Sequence, residues 1–438
     1  MGNLQIYEVH KRLIPPLLWM QERGMKVDVE RMKRRSEELK QFVEEQTRRL
    51  HEIAGRELNP RSSKQIIEYF WGKGAVYKDR KTGRPTADEE ALKRLARRGF
   101  EEASIIREIR RAEKLRSSYL EVKLGEGGRL RGMFGFARSG RLTSSQDIFG
   151  EGLNTQTLPV AMKDFIIADE GFLLYNLDKA QAENRIVAYI APDENMISAF
   201  ERGEDIHRKT ASYIFGKPPE EISSEEGSCK LGSGTRSERY FGKEANHALN
   251  YGLGPETFAL RLEISRPEAE FIINRYFTAY PGVKNYHRWV REKVARDGTL
   301  ENLFGRKYFF VGGLSDASIS DALYFIPQST VADLINQWGL LFIWENRESL
   351  FSGLELLNQV HDAIVFQIPI ELGWVEHWRM LSEIVNSLNR QLHWEGRSFH
   401  IPTDVKIGRR MSKMIELKSS KLTEENFREA FNDALQSE

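Results

Sequence analysis

Apolar positions along this chain recur with two periods, one helical and one of strands. From Asp28 the period is helical. Asp28 stands where an N-cap is expected, Met32, Leu39, Phe42, Val43, Leu50 and Ile53 fall on one stripe, and Asn59-Pro60 is the expected stop. Helices resume after loops at 60–65 and 78–86 and run to about Val122. Residues 123–170 read as Gly-rich turns and short strands, notably around 130–136. The almost wholly apolar run 172–177 reads as a core strand ending at Asp178, and a helix with Ile186, Val187 and Ile190 on its buried side follows at once. Residues 205–300 read as mostly helical, interrupted by Pro218-Pro219 and by an exposed, flexible insertion at 223–235. A helix is expected from about 315 to 347. In 356–366, two apolar runs flank His361-Asp362, the pattern of a β-hairpin with a carboxylate at its tip. A strand-like stretch at 400–406 follows, then a helix that Thr423 would cap, with Phe427, Phe431 and Leu435 on one side. No internal repeat or low-complexity tract interrupts this order.

Composition changes the picture in three ways. With 438 residues, 40% hydrophobic and 29% charged, the chain has the make-up of a soluble protein of several subdomains. It has no window of about 18 uninterrupted apolar residues and no signal-peptide pattern, so a cytoplasmic location (bacterial, or that of a phage-infected host) and no membrane partner are expected. The single cysteine, Cys229, excludes a disulfide within this sequence and a cysteine zinc site. The net charge of +1 conceals an asymmetry: residues 1–150 carry 33 Lys and Arg against 22 Asp and Glu, whereas the remainder carries 32 against 42. A basic half suits a polyanion, and an acidic half suits a site that needs cations.

Candidate chemistry follows from these placements. Asp362 on a buried hairpin points to a metal ion, although an Asp in a tight hairpin also serves as a turn former. Asp178, at a strand-to-helix junction, supplies a second carboxylate. Arg61-Ser62-Ser63-Lys64 opens a helix, where backbone N–H groups and small hydroxyls hold phosphates, and the loop 78–86 offers four cations. Arg239, Lys243, His247 and Tyr251 recur every four residues. Such a row stays on one side of a helix over about 18 Å, long enough to lie along a nucleoside triphosphate.

Taken together, the motifs resemble those of family A DNA polymerases, the bacterial DNA polymerase I type. Asp178-Lys-Ala-Gln181-Ala-Glu183-Asn-Arg185 is similar to motif A (D-x-S-Q-x-E-L-R). Arg239-x3-Lys243-x3-His247-x3-Tyr251-Gly252 is similar to motif B (R-x3-K-x3-F-x3-Y-G), and Gln359-Val-His361-Asp362 to motif C (Q-V-H-D-E). Gly140-Arg141-Leu142, Asn154-Thr-Gln156, Asp205-Ile-His207 and Gln328-Ser-Thr330 extend the resemblance in the same order over nearly the whole chain.

The resemblance implies an α+β right-hand fold with an antiparallel palm sheet, helical fingers and a helical thumb. Residues 1–23, 123–192 and 331–438, the last with a helical tail, would be palm; 24–122 would be thumb and 193–330 fingers. It also implies a monomeric, template-directed DNA polymerase that extends a primer 3′-hydroxyl with deoxynucleoside triphosphates and releases pyrophosphate. Two Mg²⁺ ions would be held by Asp178, Asp362 and the backbone carbonyl of Lys179, whose side chain need not matter. Gln181, Glu183, His207, Arg239, Lys243, His247 and Tyr251 would bind the nucleotide. Among these, Lys243 would donate a proton to pyrophosphate, Glu183 would exclude a ribose 2′-hydroxyl, and Tyr251 would stack near the templating base. Arg61, Ser62, Ser63, Lys64, Arg141, Asn154, Gln156, Gln328 and His361 would contact primer–template DNA.

Departures from the pattern are informative. His247 replaces Phe, as in some phage members, and Ala363 replaces the acid after motif C. Only about 23 residues precede the thumb, so neither a 3′–5′ nor a 5′–3′ exonuclease is expected in this chain. The rival readings are a single-subunit RNA polymerase of the same fold, a catalytically silent DNA-binding scaffold and a two-metal nuclease.

Overall fold

The computed structural model describes residues 2–79, 82–232, 234–313 and 315–437. The elements that position the site are α1 (Gly2–Arg23), α2 (Val29–Ala54), α3 (Glu101–Leu115), β1 (Phe172–Lys179), α4 (Ala182–Ile190), α5 (Ile206–Phe215), α6 (Glu238–Leu249), α7 (Asp316–Leu334), β2 (Glu355–Val360), β3 (Ala363–Pro369), α8 (Gly373–Leu388), β4 (Thr403–Gly408), β5 (Ile415–Leu417) and α9 (Glu424–Gln436). The five strands form one sheet in the order β2-β3-β1-β4-β5, antiparallel at every pairing.

The strand period of two gives this sheet unlike faces. Leu173, Tyr175 and Leu177 of β1 share one face with Ile364, Phe366, Ile368, Val405 and Ile407, all buried in the largest core. After α7 the chain makes a π-helical turn, Ile335–Leu341, against this face. Gly339 there lies so close to β3 that a Cβ would come within 2.3 Å of the Ile364 Cδ1 and force that side chain to shift. On the other face, Leu174, Val365 and Leu357 join a second core with Met25, Val27, Met32 and Leu39. A third core surrounds Leu50, Ile66, Phe70, Leu95 and Ile106, towards the far end of α2.

Local rules explain most boundaries. Asp28 caps α2, accepting from Arg31 N at 3.1 Å, but α2 ends at Gly55 (φ 67°) ahead of Asn59-Pro60, and Ile53 is exposed rather than on the buried stripe. Thr423 caps α9, accepting from Asn426 N, with Phe427 and Phe431 buried. α1 was not legible in the sequence; it carries Pro15 and Pro16 within 22 residues.

The helix expected over 315–347 is α7, the π-helical turn and a last turn, Phe342–Glu345. Pro327 inside α7 leaves the Leu323 carbonyl without its helical N–H, and the Tyr286 hydroxyl donates to it at 3.1 Å. The segment 223–235 is mostly exposed, as expected, and carries local backbone order among its described residues. Cys229 is buried, Gly227 N donates to Thr235 O, and Cys229 N donates to Arg236 O. Ser233 lies outside the described residues, as do Arg80 and Lys81 of the basic loop. Among the described residues no helix is long and apolar enough to cross a membrane.

Candidate active site

The two candidate carboxylates meet through strand pairing. Asp178 is the penultimate residue of β1, the central strand, and pairs with Ala363 of β3 on one side and Asp404 of β4 on the other. His361 and Asp362 form the two-residue tip between β2 and β3, and Lys179 N donates to the Asp362 carbonyl at 3.1 Å. Burial, then the charge of Asp178, pushes the Asp362 carboxyl up to about 7. The Asp178 carboxyl is also raised, first by burial; Lys406 opposes the shift and Asp404 adds to it. Two acids held in mutual repulsion are an arrangement that a cation relieves. Among the described residues no group of three or more His, Cys, Asp or Glu side chains is placed to hold a metal. A two-carboxylate set fits Mg²⁺, which is commonly bound by one or two carboxylates together with substrate phosphates.

Unusual backbone brackets this pair. His361 (φ 53°) and Gln181 (φ 53°) are two of the four described non-glycine residues with left-handed backbone. Such strain is held only where the surroundings fix it. At His361 the fixing groups are visible: Gln359 Nε2 donates to the His361 carbonyl at 2.6 Å, and Gln156 Nε2 donates to the Gln359 carbonyl and side chain at 3.2 and 3.1 Å. Gln156, expected to touch DNA, is therefore buried with its amide spent on the hairpin. Gln181 leaves its side-chain oxygen buried without a partner at the start of α4.

Lys179 points the other way, into the packed face. Its ammonium donates to the Leu388, Ile401, Asn389 and Thr403 oxygens, and burial, with Arg185 nearby, brings its pKa down to about 7. The side chain is therefore not dispensable: it ties the end of β1 to the end of α8 and the start of β4.

Glu183, on the first turn of α4, is held from two sides. Arg141 donates to Oε1 and the Tyr251 hydroxyl to Oε2. Its charge reaches Asp362, His361 and His247. Tyr251 stacks on Tyr324 with ring centroids 3.9 Å apart. It stands beyond the end of α6, in the turn closed by Gly252 (φ 73°), so the helical row of four expected from the spacing contains three.

That row faces α5. Gly242 of α6 lets the two helices touch, since a Cβ there would lie 2.1 Å from the His207 carbonyl oxygen. Asp205 caps α5 through Oδ1 and receives Arg239 Nε on Oδ2 at 2.7 Å. Asn246 Nδ2 lies 3.0 Å from His207 Nδ1, which assigns the acceptor role to Nδ1 and the N–H to Nε2. Burial, together with the cations of His247, Arg239 and Lys243 against the opposing charge of Asp205, holds the His207 pKa down at about 3. Lys243 is exposed and His247 half-buried, with ring centroids of His207 and His247 5.6 Å apart.

The remaining candidates divide. Arg141 and His361 are at the centre, and Gln328 is half-buried on α7 just after Pro327. Asn154 is exposed and accepts from Gln156 N. The Arg61–Lys64 group lies at the surface beside the third core, at the start of the helix that supplies Ile66 and Phe70 to it. There Arg61 pairs with Glu113, the Ser62 hydroxyl caps the helix Ser63–Gly72, and Ser63 and Lys64 are exposed. Sequence reasoning missed Asn246, Tyr324 and the pairing of Asp205 with Arg239. Only Asp205 carried a signal, as an N-cap acid two residues before His207.

Comparison with known proteins places this geometry. The model of DNA polymerase family A matches residues 29–413. The DNA polymerase I of Geobacillus stearothermophilus is 30% identical over 385 residues, 83% of this chain and 42% of that protein. That of Pseudomonas aeruginosa is 29% identical over 388 residues, 83% and 40%. The thermostable DNA polymerase I of Thermus aquaticus is 29% identical over 385 residues, 83% and 44%. The chain thus spans about two fifths of the length of the curated relatives it matches. The fold is that of the POL domain of Pol1 from M. smegmatis, solved in complex with DNA primer-template and dNTP, with a TM-score of 0.80 at 23% identity over 92% of this chain and 70% of that one.

Proposed function

The chain belongs to DNA polymerase family A, and from that premise we propose that it is a template-directed DNA polymerase acting on primer–template DNA and deoxynucleoside triphosphates. The observation that carries the reading is one juxtaposition. Asp178 pairs with Ala363, which brings it beside Asp362 at the hairpin tip, and the charge of Glu183 reaches both Asp362 and His247, the last member of the strip that begins at Arg239 and Lys243. The sheet, with the elements packed on it, would be the palm, residues 24–122 the thumb and 193–330 the fingers.

Asp178, Asp362 and the Lys179 carbonyl would hold two Mg²⁺ ions, which activate the primer 3′-hydroxyl and neutralise charge on the triphosphate. The protein's own groups do the rest. Arg239, oriented by Asp205, and the neutral His207, presenting Nε2–H, bind phosphate oxygens, while the exposed Lys243 gives a proton to the departing pyrophosphate. Glu183, clamped by Arg141 and Tyr251, keeps its carboxylate where a 2′-hydroxyl would stand. That clamp favours DNA over RNA synthesis and sets the single-subunit RNA polymerase reading aside. A two-metal nuclease would leave the cationic strip of α6 without a role.

Primer extension on a DNA template with Mg²⁺ and four deoxynucleotides tests the proposal. Extension by the wild type and none by Asp178→Ala or Asp362→Ala is expected; undiminished extension by either variant would remove the carboxylate assignment. Labelled single-stranded DNA should stay intact under the same conditions, and steady trimming would show exonuclease activity in this chain.

A further inference from the structure

Away from the carboxylates, the helix Glu89–Arg97 meets the turn between the helices Pro255–Leu262 and Arg266–Ala279. Lys93 and Arg97, four residues apart and so on one face, both reach Glu263: Lys93 Nζ pairs with Oε1 and Arg97 Nη2 with Oε2. Glu263 has left-handed backbone (φ 59°), which glutamate adopts rarely. The turn is braced by the 229–236 segment, where a Cβ on Gly232 would lie 2.9 Å from the Glu263 carbonyl oxygen.

Arg236, from that same segment, adds a third cation. Lys93 and Arg97 are both held below their ordinary pKa range, by burial first and then by neighbouring cations that include Arg236. Among the described residues Arg236 pairs with Glu226, at 3.9 Å, and lies over the Tyr240 ring. The flanking Arg94 and Arg107 have carboxylates of their own, Glu90 and Glu89. Three cations therefore converge where one carboxylate answers two of them, at a contact joining the proposed thumb to the proposed fingers.

We propose that Lys93, Arg97 and Arg236 form a binding site for the nucleic-acid phosphate backbone, that Glu263 occupies it in the free protein, and that the resulting ion pairs latch thumb to fingers until DNA displaces the carboxylate. The proposal rests on the reading of the chain as a DNA polymerase. The latch is suited to being opened. Its side chains are 29%, 36% and 23% exposed, and ion pairs with that access to water are weak and screened by salt. A duplex presents a charge about every 1.7 Å along its axis, a density one glutamate cannot match.

Stopped-flow binding of a primed DNA at several salt concentrations is the test. Glu263→Gln should raise the association rate several-fold at low salt, and the difference should shrink as salt rises. The Lys93→Gln/Arg97→Gln pair should weaken binding about tenfold and make the dependence of log affinity on log salt shallower by about two. In a Cys229→Ser background, Lys93→Cys with Glu263→Cys, joined by a short bis-maleimide, should fail to load onto a primed circular template, and the same cross-link should form several-fold more slowly on protein already loaded. An unchanged association rate for Glu263→Gln, a wild-type salt slope for the double variant, or normal loading of the cross-linked protein would each overturn the latch. Absence of primer extension by the wild type would instead overturn the polymerase reading, so the two failures are distinguishable.

Discussion

Asp178 and Lys179 are neighbours in sequence, opposite in charge, and on opposite faces of one strand. Lys179 is 2% exposed, with its ammonium among four oxygen acceptors. Asp178 has no side-chain hydrogen bond of that kind and is raised in pKa by burial. The packed face of the sheet therefore answers this buried ammonium with partners inside the protein. The opposite face, packed on the second core at Leu174 and Val365 and open only at its Asp178 end, leaves Asp178 and Asp362 in mutual repulsion, with the Gln181 side-chain oxygen just beyond β1 without a partner among the described residues. A charged residue in a core strand is thus interpretable only once its face is known.

The largest effect that tests this contrast belongs to the Asp178 end of that opposite face. Asp178→Asn and Asp362→Asn should each lower the rate of primer extension by about 10³-fold or more, with thermal melting at or above that of the wild type because a repulsion is removed. A variant that lost activity and stability together would show Asp178 to be a packing residue after all. Lys179→Met should do the converse, lowering stability by about 2–4 kcal/mol in urea denaturation by orphaning buried carbonyls. Wild-type stability there would erase the distinction between the faces.

Glu183→Ala, which leaves Arg141 and Tyr251 unclamped, should relax discrimination against ribonucleotides by about 10²-fold in competitive incorporation. His377, wholly buried beneath the packed face, supplies the smallest test. Its Nε2 donates to the Pro369 carbonyl at 2.8 Å, leaving Nδ1 to accept from the Tyr175 hydroxyl at 2.7 Å, and burial lowers its pKa. The unfolded chain then binds more protons than the folded one below about pH 6.5, so this residue costs stability as the solution is acidified. Stability measured against pH should fall less steeply below about 6.5 in His377→Gln than in the wild type.

These particulars also show what the sequence could reveal. The hairpin at His361-Asp362 and the strand ending at Asp178 were legible because their apolar runs and breaks are local. The antiparallel sheet joining them, with the α+β right-hand fold around it, was legible only through the resemblance of the motifs. Tyr251 was misplaced onto α6 because periodicity does not register a helix that Gly252 ends. The bond from Gln156 to Gln359 was not legible because the two lie 203 residues apart. α1 was silent because Pro15-Pro16 argues locally against the helix that packing secures. The Arg306–Asp333 pair, buried and reached by His10 and Asn302, was equally invisible, being a joint between distant segments.

The register of β1 has a consequence for folding fidelity. Seven residue pairs fix β1 against β3 and six fix it against β4. A slip by a single residue would exchange the faces, bringing Lys179 into the cleft and driving Asp178 into the core. A misaligned molecule would thus carry a cation beside Asp362 and an unpaired acid in the packed core. The adjacent pair of opposite charges penalises the wrong alignment on both faces at once.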